Sequence, residues 1–245
     1  MNWLSYTRYE LLRTFRNRRF FVFSLGFPLV LYFVIAGPNK NVHDFGNSGI
    51  SAPLYYMVGL SSFGTMSAML SSGARIAGER SAGWNRQLRL TPLSPRAYLR
   101  AKVLTAYAMA AVTVTLLYLA GTSLGVRLPF KDWVDMTLLI LVGLVPFAAL
   151  GILIGHLVGV DSVGPVMGGL TSLLALVSGT WFPLGQHSFL HDLAQFLPSF
   201  WLVQAGHVAL GGHPWGTRGW VVIAIWTVVL IALARQAYRR DTGRA

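Results

Sequence analysis

An all-α integral membrane protein with six transmembrane helices and both termini in the cytoplasm is the fold this sequence predicts. Three observations predict it. Six apolar stretches reach or approach the ~20 residues needed to cross a ~30 Å hydrocarbon core at ~1.5 Å per residue. Of 245 residues, 54% are hydrophobic and 11% charged, against ~25% charged in a soluble domain. Sixteen of the twenty Lys and Arg fall on one side when alternate connections are assigned to the cytoplasm. That asymmetry sets the orientation.

Residues 1–245 read as one transmembrane domain. Residues 1–19 form an amphipathic lead, helical over 2–18. At ~100° per residue Leu4, Leu11, Leu12 and Phe15 share one wedge, with Glu10, Arg13 and Thr14 outside it. Such a basic helix lies in the membrane plane. Residues 20–74 hold span 1 (Phe20 to Gly37), the outer loop Asn39 to Ser51, and span 2 (Pro53 to Ala74). Residues 75–102 form a cytoplasmic loop. Residues 103–182 hold span 3 (Val103 to Leu124), the outer connection Gly125 to Asp135, span 4 (Met136 to Gly159), a tight inner turn at Asp161-Ser162, and span 5 (Val163 to Phe182). Pro165 suits the first turn of that helix. None of these five spans carries Asp, Glu, Lys or Arg in its interior.

Within residues 183–218, Ser188 to Leu210 is apolar enough to suggest a seventh span. Asp192 and Pro198 interrupt it, and a seventh span would carry Arg235, Arg239, Arg240 and Arg244 outside. Two short helices are expected instead, Phe189 to Leu197 and Phe200 to Leu210, broken at Pro198 and re-entrant or at the outer interface. Residues 219–245 form span 6, Gly219 to about Tyr238, and a cytoplasmic tail.

A net charge of +12 raises nucleic acid as a partner. The placement of that charge on the inner loops accounts for it, and no soluble basic face remains. Cysteine is absent, which removes disulfides and thiolate metal sites. The N-terminal apolar run exceeds the ~7–15 residues of a signal peptide, so cleavage at Val34-Ile35-Ala36 is not expected. His187, His191 and Asp192, with His207 and His213 nearby, do not make the His-Glu-x-x-His arrangement of a zinc site, and no metal is expected. His156 reads as a packed histidine. Gly151, Gly155 and Gly159, and Gly121 and Gly125, recur every fourth residue; such small residues let helices approach, here within one subunit.

The cytoplasmic loop carries an ordered pattern. It reads Gly78-Glu79-Arg80-Ser81-Ala82-Gly83-Trp84-Asn85-Arg86-Gln87-Leu88-Arg89-Leu90-Thr91-Pro92-Leu93-Ser94-Pro95. Leu88 follows Trp84 by four residues, so one helical face offers two anchors to a groove. Pro92 ends that helix near Leu90. This segment resembles the signature of type-2 ABC transporter permeases: Glu-Arg-x-x-Gly, a Leu-containing helix, Thr-Pro-Leu-Ser, and a following Lys at Lys102. Ser178-Gly179-Thr180-Trp181-Phe182-Pro183-Leu184, followed by Phe196-Leu197-Pro198, resembles a second family stretch. Trp84 stands where the family often has Thr, and Gln87 where it often has Glu.

The resemblance implies the membrane half of an ATP-driven exporter. It implies a coupling helix over Glu79 to Leu90, with Glu79, Arg80, Gly83, Trp84, Gln87, Leu88, Thr91 and Pro92 meeting the ATPase. It makes the helix with Leu4, Leu11, Leu12 and Phe15 the connecting helix. Partners would be two copies of an ABC ATPase subunit and a second permease copy or a sibling, in a bacterial inner membrane. The residues agree on the need for a partner. The lysines Lys40, Lys102 and Lys131 are followed by Asn41, Val103 and Asp132, so no Gly-x-x-x-x-Gly-Lys-Ser/Thr phosphate loop exists. No cofactor is expected on this chain; ATP and Mg would sit on the partner.

For an amphipathic cargo (a drug, an antibiotic or a lipid-linked glycan) hydroxyls and aromatics suggest a path past Phe27, Tyr32, Ser61, Thr65, Ser178 and Trp181. Each is equally at home as helix–helix packing or as a lipid-facing ring. Two other classes were weighed. An intramembrane serine protease needs a base beside Ser178. An ion-coupled transporter keeps ionisable groups at mid-depth, and the spans show none.

Overall fold

The computed structural model describes residues 3–17, 25–83, 87, 90–91, 93–185, 188–210 and 214–242. Among them regular structure is helical throughout, with no strand. The helices are α1 Trp3–Arg16, α2 Phe27–Ala36, α3 Ala52–Ser81, α4 Pro95–Ser123, α5 Phe130–Gly143, α6 Val145–Leu157, α7 Val160–Val177, α8 Phe189–Ala194, α9 Pro198–Gln204 and α10 Gly216–Thr242, with a 3₁₀ turn Ala205–Leu210 after α9. Among the described residues, four helices are long and apolar enough to cross a membrane: Pro95–Ser123, Phe130–Leu157, Val160–Val177 and Gly216–Asp241. The chain is a multi-pass membrane protein. Helix α3 has 30 residues, but its Ser, Gly and Tyr content leaves it outside that set. Of the expected first span, the described helix α2 has 10 residues; positions 18–24 lie outside the described residues.

The core is built around α3, which packs against α2, α4, α6 and α7 and touches α9. Its contact with α6 is nearly backbone to backbone. A Cβ on Gly73 would stand 2.1 Å from the Gly151 carbonyl oxygen. One on Gly151 would meet the Met69 carbonyl at 2.6 Å, and one on Gly155 the Gly73 carbonyl at 2.7 Å. Gly151 and Gly155 therefore serve packing within the subunit, as small residues do between helices in lipid, whereas a Cβ on Gly159 would meet nothing within 4 Å.

Helix ends depart from the expected bounds wherever apolar sequence and helical backbone part company. Span 2 was expected to stop at Ala74, where charges begin, yet α3 continues to Ser81. Gly83, at φ +70°, terminates it in the left-handed conformation, and the Gly83 amide donates to the Arg80 carbonyl. The expected coupling helix therefore does not begin at Glu79, which belongs to the last turns of α3. Span 3 was expected from Val103. Helix α4 begins at Pro95, with the Ser94 side chain accepting from the Ala97 amide at 3.3 Å. Ser-Pro is thus a helix start, a cap followed by a proline whose missing N–H costs nothing there.

Span 4 is one run of 28 residues, Phe130–Leu157, made of α5 and α6 parted by a single residue. It begins at Phe130, shortening the expected outer connection, and is interrupted at Leu144. Pro146 explains the break: it donates no hydrogen bond, and its ring crowds the carbonyl of Val142. The inner turn lies at Val158-Gly159 and not at Asp161-Ser162, which are helical; Pro165 falls inside α7 and not in its first turn. Helix α7 ends at Val177, short of Phe182, because Gly179 adopts φ +77°. Pro198 opens α9 and does not break a helix there, and the segment after Gln204 tightens to 3₁₀. Helix α10 begins before Gly219 and runs past Tyr238 to Thr242.

Candidate functional site

Among the described residues, a dense polar cluster joins α1, α3 and α4. Lys102 Nζ donates to Glu10 Oε1 and to Glu79 Oε1, both at 2.6 Å. The Lys102 side chain is 0% exposed, with Glu10 at 2% and Glu79 at 7%. The Tyr98 hydroxyl donates to Glu79 Oε2 at 2.6 Å, and Arg13 donates to Glu79 Oε1 at 3.2 Å from a more exposed position. Arg75 donates to the Thr14 hydroxyl. Tyr6 and Tyr98 pack with Ile76, Leu93 and Ala101 beside the ions.

The local sequence explains the convergence. On α1, Glu10 and Thr14 are four apart and share a face, as do Arg75 and Glu79 on α3 and Tyr98 and Lys102 on α4. Each helix contributes one such pair. The face that α1 turns to the protein is its polar one, carrying Tyr6, Thr7, Glu10 and Thr14. Lys102 between the two buried carboxylates, with Arg13 paired to Glu79 and Arg75 near both acids, compensates their charge; either sign alone would be costly at that depth.

Arg80, the next residue, faces the other way. Its guanidinium makes a bidentate pair with Asp241 on α10, at 2.8 and 2.9 Å, and donates to the Gly155 carbonyl on α6 at 2.9 Å. The ring of His156 lies 5.3 Å from that of Tyr238, and its Nδ1 is 2.8 Å from the Ile152 carbonyl; it is a packed histidine. The Glu79-Arg80 dipeptide is thus a hub. One residue holds α1 and α4, the other α6 and α10.

This changes the reading of two expected contact residues. Glu79 is not presented at the surface for a partner; its carboxylate is enclosed by Lys102, Tyr98 and Arg13. Arg80 is taken up by Asp241 and Gly155. Gly83 is the helix terminator. Gln87, Leu90 and Thr91 are exposed, Leu90 at 89%. Trp84, Leu88 and Pro92 lie outside the described residues. Leu4, Leu12 and Phe15 are exposed and Leu11 is half-buried.

Sequence reasoning missed Glu10, Arg13, Arg75, Tyr98 and Asp241 as members of this assembly. A signal was available. The chain has eight acidic residues, and Glu10, Glu79 and Asp241 stand in its most basic segments. An acid retained among so many cations points to a specific pairing.

Of the expected path residues, Ser178 lines a cavity together with Tyr55 and His191. Tyr32, Ser61, Thr65 and Ser178 are buried. The Tyr32 hydroxyl donates to the Pro53 carbonyl at 3.2 Å, and Thr65 donates to Ser61 at 2.7 Å along its own helix. The hydroxyls of Ser62, Ser67, Ser71 and Ser72 likewise return to α3 carbonyls. The Ser61 hydroxyl is buried without a hydrogen bond. Phe27 and Trp181 each pack against Phe63, with ring centroids 6.2 and 5.6 Å from it. Ser178 donates to the Ala175 carbonyl at 3.1 Å and contacts the Thr180 hydroxyl. Neither is a base, so the protease reading finds no support.

A cavity of about 240 Å³ is lined by the 46–48 loop, Tyr55, Ser178-Gly179, His191 and the α9–3₁₀ segment. The Tyr55 hydroxyl donates to the carbonyl of Gly179, which also lines the cavity. Burial holds the His207 imidazole below its usual range, with the Gln204 carbonyl opposing. His187 and His213 lie outside the described residues. Among the described residues no three metal-ligating side chains cluster.

Residues 37–235 match the family model described as ABC-2 family transporter protein. The chain is also 31% identical over 236 residues to a protein of Bacillus subtilis (strain 168) named "Putative transport permease YvfS", covering 94% of each chain.

Proposed function

This chain belongs to the ABC-2 family of transporter membrane proteins, and from that premise we propose that it is the permease subunit of an exporter driven by a separate ATPase. The family implies an ATPase partner. In our reading two ATPase copies serve a pair of permeases, this chain with itself or with a sibling, in a bacterial inner membrane. Six spans run with both termini inside. The cargo is amphipathic or lipid-like: a drug, an antibiotic or a lipid-linked glycan.

The observation that carries this reading is the hub at the end of α3. The segment after α3 is where a soluble partner gains access, and of its described residues Gln87, Leu90 and Thr91 stand exposed. A push on that loop meets α3 first. The Glu79–Lys102 and Glu79–Tyr98 bonds pass it to α4 and, through Glu10, to α1; Arg80 passes it to α6 and α10. Charge-assisted hydrogen bonds of this kind are short and directional, and their partners move together. Nucleotide chemistry stays on the partner, because this chain encodes no phosphate loop.

The reading requires the loop to be cytoplasmic. The chain has no cysteine, so one introduced residue is the only thiol. In intact cells Asn41→Cys and Lys131→Cys are expected to react with a membrane-impermeant maleimide, and Gln87→Cys only after permeabilisation. Labelling of Gln87→Cys in intact cells would place the loop outside and end the proposal.

A further inference from the structure

Helix α1 meets the protein with its polar face, and much of the opposite face is exposed. Leu4, Leu12 and Phe15 are 57%, 52% and 40% exposed, with Trp3 and Tyr9 also exposed. Arg8 and Arg16 are exposed too. At ~100° per residue Arg8 falls between Leu4 and Leu12, and Arg16 lies just beyond Leu12. The face is therefore apolar and cationic at once. Arg96 and Arg100, exposed at the start of α4, add positive charge on the helix against which α1 packs. Neither Arg8 nor Arg16 has an acidic partner among the described residues.

That combination matches one kind of surface. Leucine and aromatic side chains enter the acyl boundary, and arginine stems reach back to the headgroups. A guanidinium fits a phosphate with two parallel hydrogen bonds. A neutral bilayer would satisfy the apolar residues alone; the arginines select for lipids with net negative charge. We propose that α1 is a binding surface for anionic phospholipids of the inner leaflet, with Leu4, Leu12 and Phe15 in the acyl region and Arg8 and Arg16 on the phosphates. The proposal is independent of the ATPase reading. It gives lipid charge a route to the hub, because Glu10 on the opposite side of α1 is bonded to Lys102.

The test uses the full chain without a partner protein. Leu12→Cys carries a small fluorophore and is reconstituted in nanodiscs of phosphatidylcholine and phosphatidylglycerol, with one lipid or the other brominated as quencher. We expect quenching to show enrichment of phosphatidylglycerol at this site on the order of tenfold for two arginines, reduced by salt. Arg8→Gln with Arg16→Gln should bring the ratio close to unity, and Arg8→Lys with Arg16→Lys should retain most of it. Equal quenching by the two lipids in the parental chain would overturn the proposal. So would a preference that survives the glutamine variant. A label unquenched by either lipid but accessible to aqueous iodide would mean that α1 faces water or a soluble protein, and would overturn it as well.

Discussion

Replacing Lys102 with methionine is expected to destabilise the folded chain by about 3–5 kcal/mol, the cost of removing one partner from a buried ion pair. Nζ is the shared donor to Glu10 and Glu79, and methionine fills the volume while leaving two buried carboxylates facing each other. Arg13 and Arg75 remain nearby, but Arg13 reaches Glu79 only from a more exposed position. For a chain of this size the thermal midpoint in detergent should fall by on the order of 10 °C. The triple variant Lys102→Met, Glu10→Gln, Glu79→Gln removes the stranded charges and should recover much of the loss. Thermal unfolding of the purified variants measures both effects. A midpoint unchanged in Lys102→Met would mean the cluster contributes no net stability and does not fasten α1.

The second large effect concerns recruitment. Trp84→Ala with Leu88→Ala should weaken ATPase association by about 2 kcal/mol or more, a roughly 30-fold loss of affinity. Both residues are spaced to share a helical face in the loop after α3. Membrane insertion should be unaffected, since neither lies in a span. Glu79→Gln should behave differently: its carboxylate is buried, so its primary effect is on stability. Co-purification of the ATPase with each variant separates the two roles. A double variant that recruits the ATPase at the parental level would show that the coupling face lies elsewhere.

The apolar spans were legible in the sequence because lipid demands long uncharged runs, and α4, α7 and α10 fall on expected stretches. The α1 wedge was legible from its period, and the two outer helices from Pro198 and Asp192. Helix ends were less so. Hydropathy marks where the chain leaves lipid, while the backbone continues as far as its caps allow: to Gly83 for α3, and from Ser94 for α4. The break at Leu144 was written in Pro146, but a strongly apolar run masked it. The hub was the least legible part. Its members span residues 10 to 241, and nothing local shows that Glu79 and Arg80, adjacent in sequence, bind helices on different sides. Resemblance marked these positions as important but gave them a surface role, where the structure gives them an internal one.

Whether this chain works as a membrane subunit driven by a separate ATPase is tested most directly by ATP turnover. The tagged chain would be purified alone in lipid nanodiscs and, in parallel, from its native membranes with whatever remains bound. The account predicts no nucleotide binding or hydrolysis by the chain alone. It predicts hydrolysis in the native preparation, carried by a co-purifying subunit with a phosphate loop and lost when that subunit is stripped away. Hydrolysis by the isolated chain, abolished by a point substitution within it, would contradict the account.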